Sequence, residues 1–188
     1  MTIREQLYTV ADFESFISLP QNTDRHFELI NGEIVEKMPT EEHSLIIGDI
    51  YFPLRTFVDQ HNLGRVAFEV RRKMPGDDHN ARLPDVEFTA KERLLPVVRQ
   101  GAVPQMPDLV VEVKSPDDSL LKLREKAVYY LSNGARLVWL VFPDRQQIEV
   151  HTAHSAVATL GIDDTIDGMD VIPGFSLPVR DIFRSVAN

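Results

Sequence analysis

Residues 107–116 read Pro107-Asp108-Leu109-Val110-Val111-Glu112-Val113-Lys114-Ser115-Pro116. With a period of two, Asp108, Val110, Glu112 and Lys114 share one face of a strand, and Leu109, Val111 and Val113 the other. One face is wholly apolar and the other carries charge. Glu112 and Lys114 project the same way, ~6.5 Å apart along the chain, a useful separation for a metal ligand beside a cationic group. Pro107 and Pro116 bracket the segment, since proline interrupts strand pairing. The charges either work chemically or face water.

The segment after Pro116 extends this strand into a larger motif. Asp117 or Asp118 can cap a helix with an apolar stripe at Leu120, Leu123, Ala127, Tyr130 and Leu131, ending at Asn133-Gly134. Leu137–Phe142 is continuously apolar, as in a strand buried on both faces. Strand, helix and buried strand make a parallel βαβ crossover. Gln147–Thr152 then reads as an antiparallel neighbour.

Upstream, Thr9 and Asp12 make a capping box for a short helix before Pro20. Asn31-Gly32 between two apolar-rich runs marks a hairpin over 26–38 that pairs Ile30 with Glu33 and Glu28 with Val35. Both of its faces are partly apolar, so a sheet covered on both sides is expected, and Glu28 there needs a partner or a metal. An edge glutamate in water is the alternative. From Glu41 to His61 a helical stripe follows Thr40 as cap, and Pro53 predicts a kink or two shorter helices. His43 in its first turn is either a ligand or a capping or solvent-facing side chain. Residues 65–73 and 83–89 read as an antiparallel pair, the second carrying Pro84-Asp85. Arg71-Arg72-Lys73 with Arg82 forms either a positive strip or a solvated strand edge. Short strands around 157–160 and 170–177 and a helical end at 179–183 complete the chain.

The chain has 188 residues, 43% of them hydrophobic, which fits one domain over residues 1–188 with a substantial core. With no cysteine, thiolate metal sites, disulfides and cysteine nucleophiles are excluded. No stretch is long and apolar enough to span a membrane, and a cytoplasmic protein with no membrane partner is expected. The net charge of −9 gives no footprint for non-specific nucleic-acid binding.

An acid-x-Lys triplet alone means little, since about one is expected by chance. Here the only such triplet lies on a strand that opens a crossover, after a Pro-Asp on an earlier strand and Glu28 on a third. Two carboxylates from adjacent strands can hold a hard cation such as magnesium, and a neighbouring lysine can position water and stabilise phosphate charge. The competing reading is a surface ion-pair cluster of little consequence for stability.

The order Asp85, then Glu112-Val113-Lys114 on a strand leading into a helix, resembles the active-site signature of the PD-(D/E)XK nuclease superfamily. FELINGEIVE (27–36), HSLIIGDIY (43–51), LPDVEF (83–88), PDLVVEVKSP (107–116), LREKAVYYLSNGARLVWLV (123–141) and IPGFSLPV (172–179) resemble, more closely, the Uma-two family of restriction endonucleases. The resemblance runs from about Tyr8 to Phe183. It implies an α/β (α+β) restriction-endonuclease-like core, a mixed central sheet with a parallel βαβ crossover flanked by helices. It further implies Asp85 and Glu112 as metal ligands with the Val113 carbonyl as a third, Lys114 as catalytic lysine, and Glu28 as an upstream acid. Many relatives lack lysine at the position of Lys114 and share one matching Lys126; with Tyr130 this resembles the Gln-x-x-x-Tyr element of related nucleases. Asp108 reads as a strand-entry acid.

The function expected is thus a Mg2+-dependent DNA endonuclease, with Mn2+ as an alternative cofactor. A homodimer suits the cutting of both strands. The alternatives are an inactive nuclease-fold module that binds DNA or a partner, and a hydrolase of another phosphate substrate.

Overall fold

The computed structural model describes residues 7–116 and 118–187. These fall into two compact units whose segments alternate along the chain. The smaller comprises the segment ending at Met38 together with Val70–Leu83 and Val97–Met106; the larger comprises Pro39–Glu69, Pro84–Pro96 and the segment from Pro107 onward.

In the smaller unit, helix α1 (Val10–Ile17) starts at the expected capping box. Thr9 Oγ1 accepts from the Asp12 N–H at 3.2 Å, and Asp12 Oδ2 accepts from the Thr9 N–H at 2.9 Å. Strands β1 (His26–Ile30) and β2 (Glu33–Lys37) form the expected hairpin in the expected register, Glu28 opposite Val35 and Ile30 opposite Glu33. Asn31 and Gly32 both have positive φ, as a two-residue turn of this hand requires. Phe27 and Leu29 pack with Val10, Phe13 and Ala81. The hairpin is not covered on both sides throughout, because β2 is exposed or half-buried along its length.

The arginine cluster is neither a positive strip nor a solvated edge. Arg72 and Arg82 are buried, exchange two backbone hydrogen bonds, and donate side-chain bonds to the Gln105 carbonyl and Asn80 Oδ1. The Arg71 guanidinium lies 5.4 Å from the centroid of the Phe13 ring, and burial pulls its pKa below the ordinary arginine value.

The larger unit holds a six-stranded sheet in the order β3-β4-β5-β6-β7-β8, with β3 at Gly64–Phe68, β4 at Val86–Ala90, β5 at Leu109–Val113, β6 at Leu137–Phe142, β7 at Gln147–His151 and β8 at Ala158–Leu160. Only β5 and β6 run parallel; the other neighbours are antiparallel. The helix between them, α3 (Leu120–Ser132), completes the expected crossover. Its cap is Ser119, whose Oγ accepts from the Lys122 N–H at 3.4 Å. Asp118 instead closes the preceding turn by accepting from the Ser115 N–H, and Asp117 lies outside the described residues.

Helix α2 (Glu41–His61) starts at Thr40 as expected but continues through Pro53 as one uninterrupted helix. The proline removes a single bond, that to the Asp49 carbonyl, while Ile46, Ile50, Leu54 and Val58 bury a continuous stripe along the helix. The strand expected over 65–73 ends at Phe68, because Glu69 takes a positive φ of 52° that extended pairing cannot accommodate. Of the strand expected over 170–177, only Ser176 and Leu177 are in a strand. A turn containing Gly168 and Gly174 separates two three-residue strands, β9 (Thr165–Asp167) and β10 (Ser176–Pro178), before α4 (Val179–Ile182).

The two sheet faces differ. Leu109, Val111 and Val113 join Val86, Phe88, Trp139 and Val141 in one apolar core with the α2 stripe and the C-terminal segment. The opposite face carries Asp85, Glu87, Thr89, Glu112, Glu149 and His151, and all of these are buried as well. Helix α3 lies against this face, through Lys126 and Tyr130 to Glu112 and through Arg124 to Glu149.

Candidate active site

Pairing between β4 and β5 sets Val86 opposite Val111, Glu87 opposite Val110 and Phe88 opposite Leu109. Continued by one residue, this register brings Asp85 opposite Glu112, and residues directly opposite in an antiparallel pair project from the same face. The Val113 N–H donates to Asp85 Oδ2 at 2.7 Å and anchors the carboxylate at the end of β5. Both acids are buried, Asp85 at 1% exposure and Glu112 at 2%.

Each carboxylate is held by specific partners. Tyr130 donates its hydroxyl to Glu112 Oε1 at 2.6 Å, and the Lys126 ammonium lies 3.1 Å from Oε2. The two residues are four apart on α3 and therefore share a face of the helix. Tyr130 is fully buried and belongs to the Leu123, Ala127 and Tyr130 stripe that seats α3 on the sheet. Asp85 Oδ2 also lies 3.2 Å from His43 Nε2. A carboxylate accepts and does not donate, so the facing ring nitrogen carries the proton. His43 is buried at 4% exposure in the first turn of α2, neither solvent-facing nor acting as the cap through its side chain.

The other expected residues sit differently. Lys114, half-buried, donates to the Ser115 carbonyl at 3.2 Å. Glu28 belongs to the smaller unit, where it is buried and accepts from the Leu83 N–H at 2.7 Å, so it is not an edge glutamate in water. Asp108 is the strand-entry acid expected: fully buried, it accepts from the Ala90 N–H at 2.8 Å and from Arg93 at 2.6 Å.

A second polar group on the same face was not singled out by sequence reasoning. Glu149 on β7 pairs with Arg124 and lies 3.0 Å from His151 Nε2. Its pKa is held below the ordinary glutamate value, chiefly by the Arg124 hydrogen bonds. Its alternation in QIEVH was the only signal.

Asp85, Glu112 and the Val113 carbonyl are hard oxygen donors of the kind magnesium takes, with waters completing its shell. The donor set is sparse: among the described residues no three His, Asp or Glu side chains come together as a metal-holding group. Asp85, Glu112 and the Val113 carbonyl are the groups here that could hold a divalent cation, and the Lys126 ammonium lies at the Glu112 carboxylate.

Comparison with known proteins agrees with the fold. The crystal structure of a "putative nuclease belonging to DUF820" from Anabaena variabilis ATCC 29413 superposes with a TM-score of 0.79 at 24% identity, covering 95% of this chain and 99% of that one. No curated protein matches the chain. The model of the Uma2 family, described as "Putative restriction endonuclease", matches residues 13–180, and with that span covering most of its length the chain belongs to the Uma2 family.

Proposed function

We propose that the chain is a divalent-cation-dependent endonuclease that hydrolyses phosphodiester bonds in DNA, with Mg2+ as cofactor and Mn2+ as substitute. The observation that carries this reading is the buried pair Asp85, immediately before β4, and Glu112 on β5, with a lysine and a tyrosine from α3 on the second acid. Family membership and the nuclease neighbour support the same reaction class.

In this reading Asp85, Glu112 and the Val113 carbonyl hold the cation. The cation supplies charge neutralisation and Lewis-acid activation at the scissile phosphate. Tyr130 holds one oxygen of Glu112, and the Val113 N–H holds one oxygen of Asp85. Lys126 orients the attacking water and stabilises the charge that grows on the phosphate oxygens. Lys114, on the same strand face two residues past Glu112, is the second candidate for that role.

The alternation of the two units' segments supports one nuclease-like domain over 1–188, and cutting both strands with one site per chain favours a homodimer. No described helix is long and apolar enough to cross a membrane. We place the protein in the cytoplasm.

One observation favours the inactive, DNA- or partner-binding alternative: both oxygens of Glu112 are already engaged by protein donors. The readings separate on supercoiled plasmid with Mg2+ or Mn2+. The endonuclease nicks it, while Asp85→Ala and Glu112→Ala do not. Intact plasmid with either ion, from folded wild-type protein, contradicts the proposal.

A further inference from the structure

We propose that His43 is a positioning residue for the cation site, one that sets the orientation of the Asp85 carboxylate. The proposal rests on the reading of Asp85 as a ligand. Rotation of an aspartate carboxylate about χ2 is soft and roughly two-fold, so one hydrogen bond does not fix its plane. Asp85 Oδ2 receives two donors from two separate elements, the Val113 N–H of β5 at 2.7 Å and His43 Nε2 of α2 at 3.2 Å. The two donors together set the plane of the carboxylate, which one alone would not.

The imidazole is itself held at its base. The His43 N–H donates to Thr40 Oγ1 at 3.2 Å, which ties the ring's backbone to the cap of α2.

His43 Nδ1 is buried without a hydrogen-bond partner among the described residues, while Nε2 stays on Asp85. The ring's placement therefore serves the carboxylate and leaves its own second nitrogen unsatisfied. Hydrogen-bond partners orient metal ligands, and their loss typically weakens metal binding about 10- to 100-fold.

The test is Mn2+ binding to the full chain by calorimetry, with thermal melts on the same samples. His43→Ala is expected to weaken binding about 10- to 100-fold, and His43→Gln, whose amide can reach the position of Nε2, to restore most of it. His43→Phe keeps a packed ring without the donor and is expected to behave as His43→Ala; it replaces that variant if His43→Ala does not fold. Unchanged Mn2+ affinity in His43→Ala or His43→Phe, with only a lowered melting temperature, overturns the positioning role and leaves the cation reading standing. No Mn2+ binding by wild type at millimolar concentration overturns the cation reading, and the role of His43 falls with it.

Discussion

The ammonium of Lys126 lies 3.1 Å from Oε2 of Glu112, so the carboxylate carries a positive neighbour before any cation arrives. Unit charges ~4 Å apart interact by about 4 kcal/mol at an effective dielectric of ~20. Lys126 therefore competes with a metal for Glu112 as well as serving the phosphate. Lys126→Met is expected to bind Mn2+ about tenfold or more tightly than wild type while losing cleavage. Calorimetry and plasmid nicking on one preparation check both halves, and weaker Mn2+ binding would count against the competition.

Tyr130 donates to the other oxygen of Glu112 from a fully buried position. Tyr130→Phe keeps the ring and removes one bond to a buried charged acceptor. Such a loss costs about 1–3 kcal/mol. Urea denaturation is expected to report a fall in that range, whereas unchanged stability would mean that the hydroxyl is replaceable.

The two lysines are distinguishable by activity. Lys114 donates to the Ser115 carbonyl, whereas Lys126 meets Glu112 directly. Lys126→Met is expected to lower the nicking rate by about a hundredfold or more, the scale of losing one positioned electrostatic group. Lys114→Met is expected to stay within about tenfold of wild type. The reverse order would assign the catalytic role to Lys114.

Glu149 gives the acid limb of stability. The Arg124 hydrogen bonds hold its folded pKa below the ordinary 4.5, so its contribution is present above pH 4.5 and is lost as the pH falls through the lower folded value. Glu149→Gln is therefore expected to melt below wild type at pH 7, and the gap to close as the pH drops below 4.5. Melting temperatures from pH 7 to pH 3 check this, and a constant gap would remove the ion pair as its cause.

Much of this architecture is local and so legible in the chain. The Thr9 and Asp12 box, the Asn31-Gly32 turn with its register, and the crossover from Glu112 to Trp139 each follow from residue type and spacing, and each forms as expected. The misreadings share a cause, since period-two alternation does not reveal a backbone turn. Residues 65–73 alternate well, yet Glu69 leaves the extended region and the strand stops. Residues 170–177 fail similarly at Gly174.

At the site, Asp85, Glu112 and Lys114 were visible as a motif, and Lys126 and Tyr130 through the family resemblance. The approach of His43 to Asp85 was not legible, because it joins residues 42 apart on elements whose packing no local pattern states. The charged face of β5 posed the same difficulty. Alternation shows that Glu112 and Lys114 share it, but not that α3 covers it and buries Glu112.

The central claim is that Asp85 and Glu112 hold one divalent cation. Anomalous diffraction from a crystal soaked in Mn2+ tests it most directly. A single strong peak is expected in contact with a carboxylate oxygen of each residue, at coordination distances of roughly 2.1 Å. No peak between them at saturating Mn2+, with both carboxylates still held by Val113, His43, Tyr130 and Lys126, would contradict it.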